Sequence, residues 1–204
     1  MRVPAQAGLG AIAVAAAAIL TLEFSSGLDL TRRTISEHQL GEHAWLFGIS
    51  VALIALGSLG IGATLVAQRR ARPPGLVALA GWSLGLLVVA AFPKHDWSVG
   101  PSFSGSVHRV GSVVAFVCLP VAVLLLARPW RDTMARVAAA LGLGAVVWIA
   151  GIVLVGYTAA RDGIPWWRAM PVGLGAVERG LVFTEIAALA ALGIWAIARQ
   201  GRRA

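Results

Sequence analysis

The chain has 204 residues, of which 58% are hydrophobic and 13% are charged, and its formal net charge is +8. A soluble domain of this length cannot bury so much apolar surface, because its surface is large relative to its volume. The composition therefore excludes an ordinary soluble domain and indicates a protein whose solvent is the lipid bilayer.

Six apolar stretches follow one another along the chain, and each is long enough to cross the hydrocarbon core as a helix, which takes about 20 residues. We predict helices near residues 4–24, 44–67, 75–92, 109–127, 137–160 and 176–198. No loop between them is long enough to form a second domain. The predicted fold class is therefore all-α, with residues 1–204 forming one integral membrane bundle of six transmembrane helices.

Basic residues are shared unevenly between the two ends of such a bundle. One end, which includes both termini, carries ten of the 17 arginine and lysine residues and a single acid, Asp132, whereas the other carries seven basic residues and six acids. Because basic loops stay in the cytoplasm, we predict a multi-pass protein of the cell membrane with both termini inside. The same bias accounts for the net positive charge, so a nucleic-acid partner is not expected.

Polar residues collect at the predicted extracytoplasmic end, at the junctions that lead into helices 2, 4 and 6. The segment TISEHQ, residues 34–39, precedes helix 2 and can form two overlapping capping boxes. Capping is therefore one interpretation of Ser36 and Glu37, and a functional pocket is the other. His38 and His43 are five residues apart, which does not place them on one helical face, so we interpret at least one of them as a surface histidine.

The junction before helix 4, FPKHDWSVGPSFSGSVHRVG, gathers five ionisable residues between two apolar stretches: Lys94, His95, Asp96, His108 and Arg109. Ser104 or Ser106 is expected to cap helix 4, which places His108 in the first turn at the depth of the lipid headgroups. His108 is then either an interfacial histidine or a chemically active one.

Helix 6 carries Glu178, Arg179 and Glu185. The two glutamates are seven residues apart, so they lie on nearly the same face, with Glu185 about 10 Å deeper. A carboxylate at that depth is costly unless it is neutral, paired or in a wet cavity, and Glu23 in helix 1 meets the same demand. Two interpretations stay open: Glu178 and Arg179 form an ion pair that braces the bundle, or they line a functional pocket.

Four tryptophans, Trp45, Trp97, Trp166 and Trp167, lie at the same predicted end. An interfacial aromatic belt explains them, and an aromatic wall that holds a lipid, isoprenoid or sugar-like ligand is the alternative. Glycines inside helices 2, 3 and 5 allow close helix packing, either within the bundle or at a dimer face, so an oligomer stays an alternative.

Three segments together resemble a known family: ISEHQLGEHAWLF entering helix 2, FPKHD with GSVHRVGSVVAF entering helix 4, and GAVERGLVF opening helix 6. Over nearly the whole chain they resemble the prokaryotic membrane family called domain of unknown function 998. The resemblance implies a six-helix fold but no activity. The features that match the family are Ser36–Glu37, Gly41, Trp45, Phe92–Pro93, His108 and Glu178–Arg179, while Asp96 stands one residue farther from the proline than the family's acid. His38, His43 and His95 are not part of the family's pattern, which favours treating them as surface residues.

A weaker resemblance is to the CREST superfamily of membrane proteins, which includes the alkaline ceramidases. It rests on serine, aspartate and histidine residues at one membrane face, and it implies a zinc-dependent hydrolase. The chain has neither a seventh helix nor the paired His-x-x-x-His of that superfamily.

The leading hypothesis is a membrane-embedded enzyme that acts on a lipid-like substrate in the outer leaflet. His108 with Asp96 or Glu37 would form an acid–base pair, or His108 and Asp96 would bind a divalent metal such as zinc. The candidate catalytic residues are His108, Asp96, Glu37 and Ser36. The candidate substrate-binding residues are Glu178, Arg179, Glu185, Trp97 and Trp45. The expected partners are membrane lipids and a lipid-like or isoprenoid ligand.

Two other classes of function stay open. A small transporter, channel or ligand-sensing subunit would use Glu23 and Glu185 as proton-coupled sites, although few polar residues continue to the cytoplasmic end. A haem protein would need two histidines at matching depth, and the sequence offers His108 with His38 or His43.

Overall fold

A computed structural model of the chain describes residues 3–198. Its helices are α1 (Val3–Ser25), α2 (Ala44–Ala67), α3 (Pro73–Ala91), α4 (Phe103–Leu126), α5 (Thr133–Arg161) and α6 (Leu174–Ala198), with short 3₁₀ helices at Ile35–Leu40 and Trp166–Arg168. All six α-helices are long and apolar enough to cross a membrane, which confirms the predicted fold class. Four of the arginines that were counted for the orientation lie outside the described residues: Arg2, Arg199, Arg202 and Arg203.

Helix α4 begins at Phe103, six residues earlier than predicted, because the helix extends beyond its apolar stretch. Ser102 caps it by accepting a hydrogen bond of 3.0 Å from the backbone N–H of Gly105. The prediction that Ser104 or Ser106 caps this helix is therefore wrong. Both of these serines instead donate to backbone carbonyls, Ser104 to that of Pro93 and Ser106 to that of Ser102.

The predicted capping boxes before α2 are also wrong. The segment folds as the 3₁₀ helix Ile35–Leu40, and neither its N-cap, Thr34, nor the N-cap of α2, His43, makes a side-chain capping bond. The physical reason is that the side chain of Glu37 is engaged elsewhere, by Lys94 at the end of α3.

Consecutive helices pack most closely as three pairs, α1 with α2, α3 with α4 and α5 with α6. Glycines allow the first two pairs to approach closely. A Cβ atom on Gly57 of α2 would lie 2.6 Å from the carbonyl oxygen of Gly8 in α1, and one on Gly85 of α3 would lie 2.6 Å from that of Gly111 in α4. These glycines therefore serve packing within the bundle.

Helix α6 contacts α1, α2, α4 and α5, so its residues form much of the core. Leu189, Leu192 and Trp195 are almost completely buried there. At one end of the bundle, the indole N–H of Trp195 donates to Asp132 just before α5. The connections 26–43, 92–102 and 162–173 lie at the opposite end, which we call the polar end.

Candidate functional site

A buried ionic cluster joins α1, α6 and the 3₁₀ helix Ile35–Leu40 at the polar end. Arg179 Nε donates to Glu23 Oε2 at 2.8 Å, and Arg179 Nη2 donates to the same oxygen. The other oxygen, Oε1, lies 3.1 Å from Nε2 of His38. The three residues are 9%, 7% and 6% exposed, in the order Arg179, Glu23 and His38. We call these three residues the inner cluster. Within it, the negative charge of Glu23 is paired with the positive charge of Arg179.

Arg179 also fixes the loop that follows α1. Its Nη1 donates to the carbonyl oxygens of Leu30 at 2.7 Å, Arg33 at 2.6 Å and Gly175 at 3.1 Å. A Cβ atom on Gly175 would lie only 2.7 Å from the Leu30 oxygen and 2.8 Å from Arg179 Nη1. Glycine is therefore the residue that lets the loop and the guanidinium group share this space.

A second polar group lies nearer to the surface. Lys94 Nζ donates to Glu37 Oε1 at 2.7 Å and to Thr34 Oγ1 at 2.8 Å. The side chains of Lys94 and Glu37 are 13% and 18% exposed, so solvent reaches both. Gln39 ties the same loop to the end of α3, because its amide donates to the carbonyl of Val89 at 2.6 Å.

Glu178 completes this outer layer, and we call Glu37, Lys94 and Glu178 the rim. Its Oε2 accepts a hydrogen bond of 3.2 Å from the backbone N–H of Ile35, whereas its Oε1 makes none with the described residues. Lys94 and Arg179 both lie close enough to act on its charge. The predicted ion pair of Glu178 with Arg179 is not formed, because neighbouring helical residues point about 100° apart and Arg179 faces Glu23 instead.

The structure does not join the four predicted catalytic residues by hydrogen bonds. His108 is 5% exposed, and its Nδ1 lies 2.8 Å from the carbonyl oxygen of Phe92. Ser36 Oγ lies 3.1 Å from Thr34 Oγ1. Glu37 binds Lys94. An acid–base pairing of His108 with Glu37 therefore stays a prediction.

Asp96 is exposed and turns back on its own loop. It accepts hydrogen bonds from the backbone N–H of Ser98 at 2.9 Å and from the Ser98 hydroxyl at 2.6 Å. These bonds favour the ionised form and hold the pKa of Asp96 below its usual range. The carboxylate thus stabilises a turn, and no hydrogen bond links it to His108.

The residues present do not fit a metal site. Within residues 3–198, no three or more His, Cys, Asp or Glu side chains are grouped so that they could hold a metal ion. His108 and Asp96 have no third ligand beside them, so we derive no step that uses a metal. A haem would need histidine nitrogens as axial ligands. Nε2 of His38 and Nδ1 of His108 each make a hydrogen-bond contact within the protein, and haem binding stays a prediction.

Two histidines that were interpreted as surface residues are buried. His38 is 6% exposed because it turns inward to Glu23, and His95 is 7% exposed because it lies over Gly105, which has no side chain to exclude it. Nδ1 of His95 accepts a hydrogen bond of 2.9 Å from the backbone N–H of Ser102. For these two residues the surface interpretation is wrong.

The predicted substrate-binding residues separate into three environments. Arg179 belongs to the inner cluster and Glu178 to the rim. Trp45 and Trp97 are 65% and 64% exposed, which agrees with the interfacial belt. Glu185 is 1% exposed, and neither of its carboxyl oxygens has a hydrogen-bond partner among the described residues.

An apolar groove of about 430 Å³ runs between α3 and α4. Its walls include Leu84 and Val88 of α3 and Val110 and Val114 of α4, and Ser106 contributes the one polar side chain. None of the rim or inner-cluster residues lines it. The groove is a feature of the bundle surface separate from the polar end.

Sequence reasoning missed the central role of Glu23 and its bond to His38, and it did not assign a role to Lys94. Glu23 was noted as a costly acid in helix 1, and its place near the polar end was the signal that could have linked it to Arg179. Nothing in the local spacing indicates the contact, because the two residues are 156 positions apart.

A model of a family described as proteins of unknown function (DUF998) matches residues 9–195. The matched range includes every residue of the inner cluster and the rim. No curated protein and no solved structure matches the chain significantly.

Proposed function

The chain belongs to the DUF998 family, and we propose that it is a membrane-embedded enzyme that binds the polar headgroup of a lipid-like molecule at the rim. The observation that carries the proposal is the incomplete bonding of Glu178. This half-buried carboxyl group has one bonded oxygen and one oxygen without a partner among the described residues, and Lys94 lies near enough to act on its charge without forming an ion pair with it.

The inner cluster gives the rim a rigid structural support. Each oxygen of Glu23 has a partner, and the guanidinium group of Arg179 binds α1, the loop 26–34 and its own helix at once. Charge-assisted bonds of this kind hold side chains in one geometry. A support that does not rearrange keeps the side chains of the rim in position for a ligand.

The rim offers a ligand both a donor and an acceptor. An ammonium group has three N–H donors, and Lys94 Nζ uses two of them, for Glu37 and Thr34. Glu178 Oε1 supplies a free acceptor. In a reaction, Glu178 would take up a proton from a substrate hydroxyl or water, and Lys94 would stabilise the negative charge that develops.

A lipid-like substrate follows from the place of the rim. Glu178 lies in the second turn of a membrane-spanning helix, and Lys94 follows directly after another, which is the depth of headgroups. The excess of arginine at the opposite end supports a place for the rim in the extracytoplasmic leaflet. Trp45 and Trp97 would lie among the surrounding headgroups.

The test compares Glu178→Gln and Lys94→Gln with Glu42→Gln, an exposed acid on the same side of the bundle. Each protein is reconstituted in nanodiscs with a panel of lipids, and released headgroups and retained lipids are measured by mass spectrometry. We expect headgroup release to fall at least about 100-fold in both rim variants, since losing an acid–base group typically costs that much. Glu42→Gln should match the wild type.

The outcomes separate binding from catalysis. If one lipid is retained by the wild type and lost in both rim variants but never changed chemically, the rim is a binding site and not an active site. If retention and turnover are the same in all four proteins, the proposal is wrong in both parts.

A further inference from the structure

Glu185 is a buried carboxylic acid that belongs to neither the rim nor the inner cluster. It lies 11 residues after the first residue of α6, about 16 Å along the helix axis and close to the middle of the span. Its side chain is 1% exposed, and both oxygens lack a hydrogen-bond partner in residues 3–198. A carboxyl group in this position is unusual, because buried polar groups normally have partners.

The helices around α6 give Glu185 no counter-charge. Helices α2 and α3 carry no ionisable residue at all. Those on the other neighbouring elements are Glu23 on α1, Glu37 and His38 on the 3₁₀ helix, His108, Arg109 and Cys118 on α4, and Arg136, Tyr157 and Arg161 on α5. On α6 itself, Glu178 and Arg179 are engaged at the polar end.

None of these groups pairs with Glu185. Glu23 and His38 bind within the inner cluster, and Glu37 binds Lys94. His108 bonds to the carbonyl of Phe92. The arginines of α4 and α5 are exposed near the helix ends, Tyr157 is 62% exposed, and the half-buried thiol of Cys118 makes no hydrogen bond to the carboxyl group.

We propose that Glu185 is a proton-binding site inside the membrane, whose proton is bound in this closed packing and released only when the bundle admits water. An ionised carboxylate with no partner is strongly disfavoured in the hydrocarbon core, so the closed packing admits the neutral form. The ionised form requires hydration, which this packing does not supply. Proton release is therefore coupled to opening of the bundle around α6.

The site exchanges its proton through the polar end. Glu178 lies on nearly the same face of α6, about 10 Å nearer to that end. Beyond Glu185, the described part of α6 (residues 186–198) has no ionisable residue, and α2 and α3 provide none. Among the described residues of α6, titratable side chains therefore lie only on the polar-end side of Glu185, and at the opposite end Asp132 is hydrogen-bonded to Trp195, ten residues farther along the helix.

The coupling has a definite sign. The closed packing binds one proton at Glu185 that the opened or unfolded chain releases at neutral and alkaline pH. The closed state is then stabilised at low pH and loses stability as pH rises, by at most about tenfold in its equilibrium constant per pH unit. Glu185→Gln keeps the shape of the neutral side chain and removes this dependence.

The first measurement is infrared spectroscopy of the reconstituted protein, in which a protonated carboxyl group has its own carbonyl band. We expect this band at neutral pH in the wild type and in Glu42→Gln, and its loss in Glu185→Gln. If the wild type lacks the band, or if Glu185→Gln retains it unchanged, Glu185 does not hold the proton and the proposal is overturned.

The second measurement is thermal unfolding in detergent from about pH 6 to pH 9, with Glu42→Gln as the control. One bound proton sets the steepest slope that the free energy of unfolding can show against pH. The wild type and the control should lose stability relative to Glu185→Gln as pH rises. Parallel curves for all three proteins would overturn the coupling. Neither measurement depends on a substrate, so failure here is distinct from failure of the enzyme proposed at the rim.

Discussion

Replacing Glu23 by glutamine should destabilise the protein because Arg179 then loses its charge partner. Glu23 accepts hydrogen bonds from both Nε and Nη2 of Arg179 and contacts His38 with its other oxygen. After the substitution, the guanidinium group stays 9% exposed with its three carbonyl contacts but without a carboxylate. Removing one partner of a buried pair costs about 3–5 kcal/mol.

The retained carbonyl contacts place the expected loss at the lower end of this range, about 3 kcal/mol. For a chain of this size each kcal/mol lowers Tm by about 2–4 °C, so we expect a decrease of about 6–12 °C. The assay is thermal unfolding in detergent, followed by circular dichroism. The matched control is Glu42→Gln, since Glu42 is an exposed acid at the same end of the bundle that makes no ion pair with the described residues and should show no measurable change.

A double variant gives the sharper test. Glu23→Gln combined with Arg179→Gln removes the stranded charge together with its partner, so it should cost less than the sum of the two single variants. An unchanged Tm in Glu23→Gln, or strict additivity in the double variant, would refute the ionic coupling of α1 to α6.

Two further predictions concern packing and sidedness. Gly175→Ala should lower Tm, because its new methyl group meets the backbone oxygens of Leu30 and Arg33, and such overpacking costs about 1–3 kcal/mol. Gly151→Ala, at a helical glycine with nothing within 4 Å, should leave Tm equal or slightly higher, and equal losses in both variants would contradict the steric explanation. For sidedness, single cysteines at the exposed positions Glu42 and Arg72 in a Cys118→Ala background should react with a membrane-impermeant maleimide from the extracytoplasmic and the cytoplasmic side, respectively. The opposite pattern would reverse the orientation of the rim.

The six spans could be predicted from the sequence because the length of an apolar stretch is a local property. A helix rises 1.5 Å per residue, so about 20 apolar residues must cross the hydrocarbon core wherever the other helices lie. The alternation of spans then brings every second connection to the same end. Glu37, Lys94 and Glu178 were expected at one end for this reason, before any contact was known.

The partners of these residues could not be predicted in the same way. Spacing along the chain identifies neighbours three or four positions away on one helix, but it does not say which helices pack together. His38 was interpreted as a surface residue because it shares no helical face with His43 and is not part of the family's pattern, yet it turns inward to Glu23, 15 positions earlier. An ion pair of Glu178 with the adjacent Arg179 was one of two open interpretations, whereas the rotation of α6 directs that arginine to α1.

The sequence by itself therefore determined the number of spans, their approximate positions along the chain and the end at which the ionisable residues gather. The tertiary structure alone decided that Glu23 neutralises Arg179, that one oxygen of Glu178 stays unbonded, and that Glu185 has no hydrogen-bond partner within residues 3–198. The reason is physical: the cost of a charge in the bilayer is set by residue type and depth, which a sequence contains. The compensation of that charge is set by distances between helices, which depend on how all six spans pack.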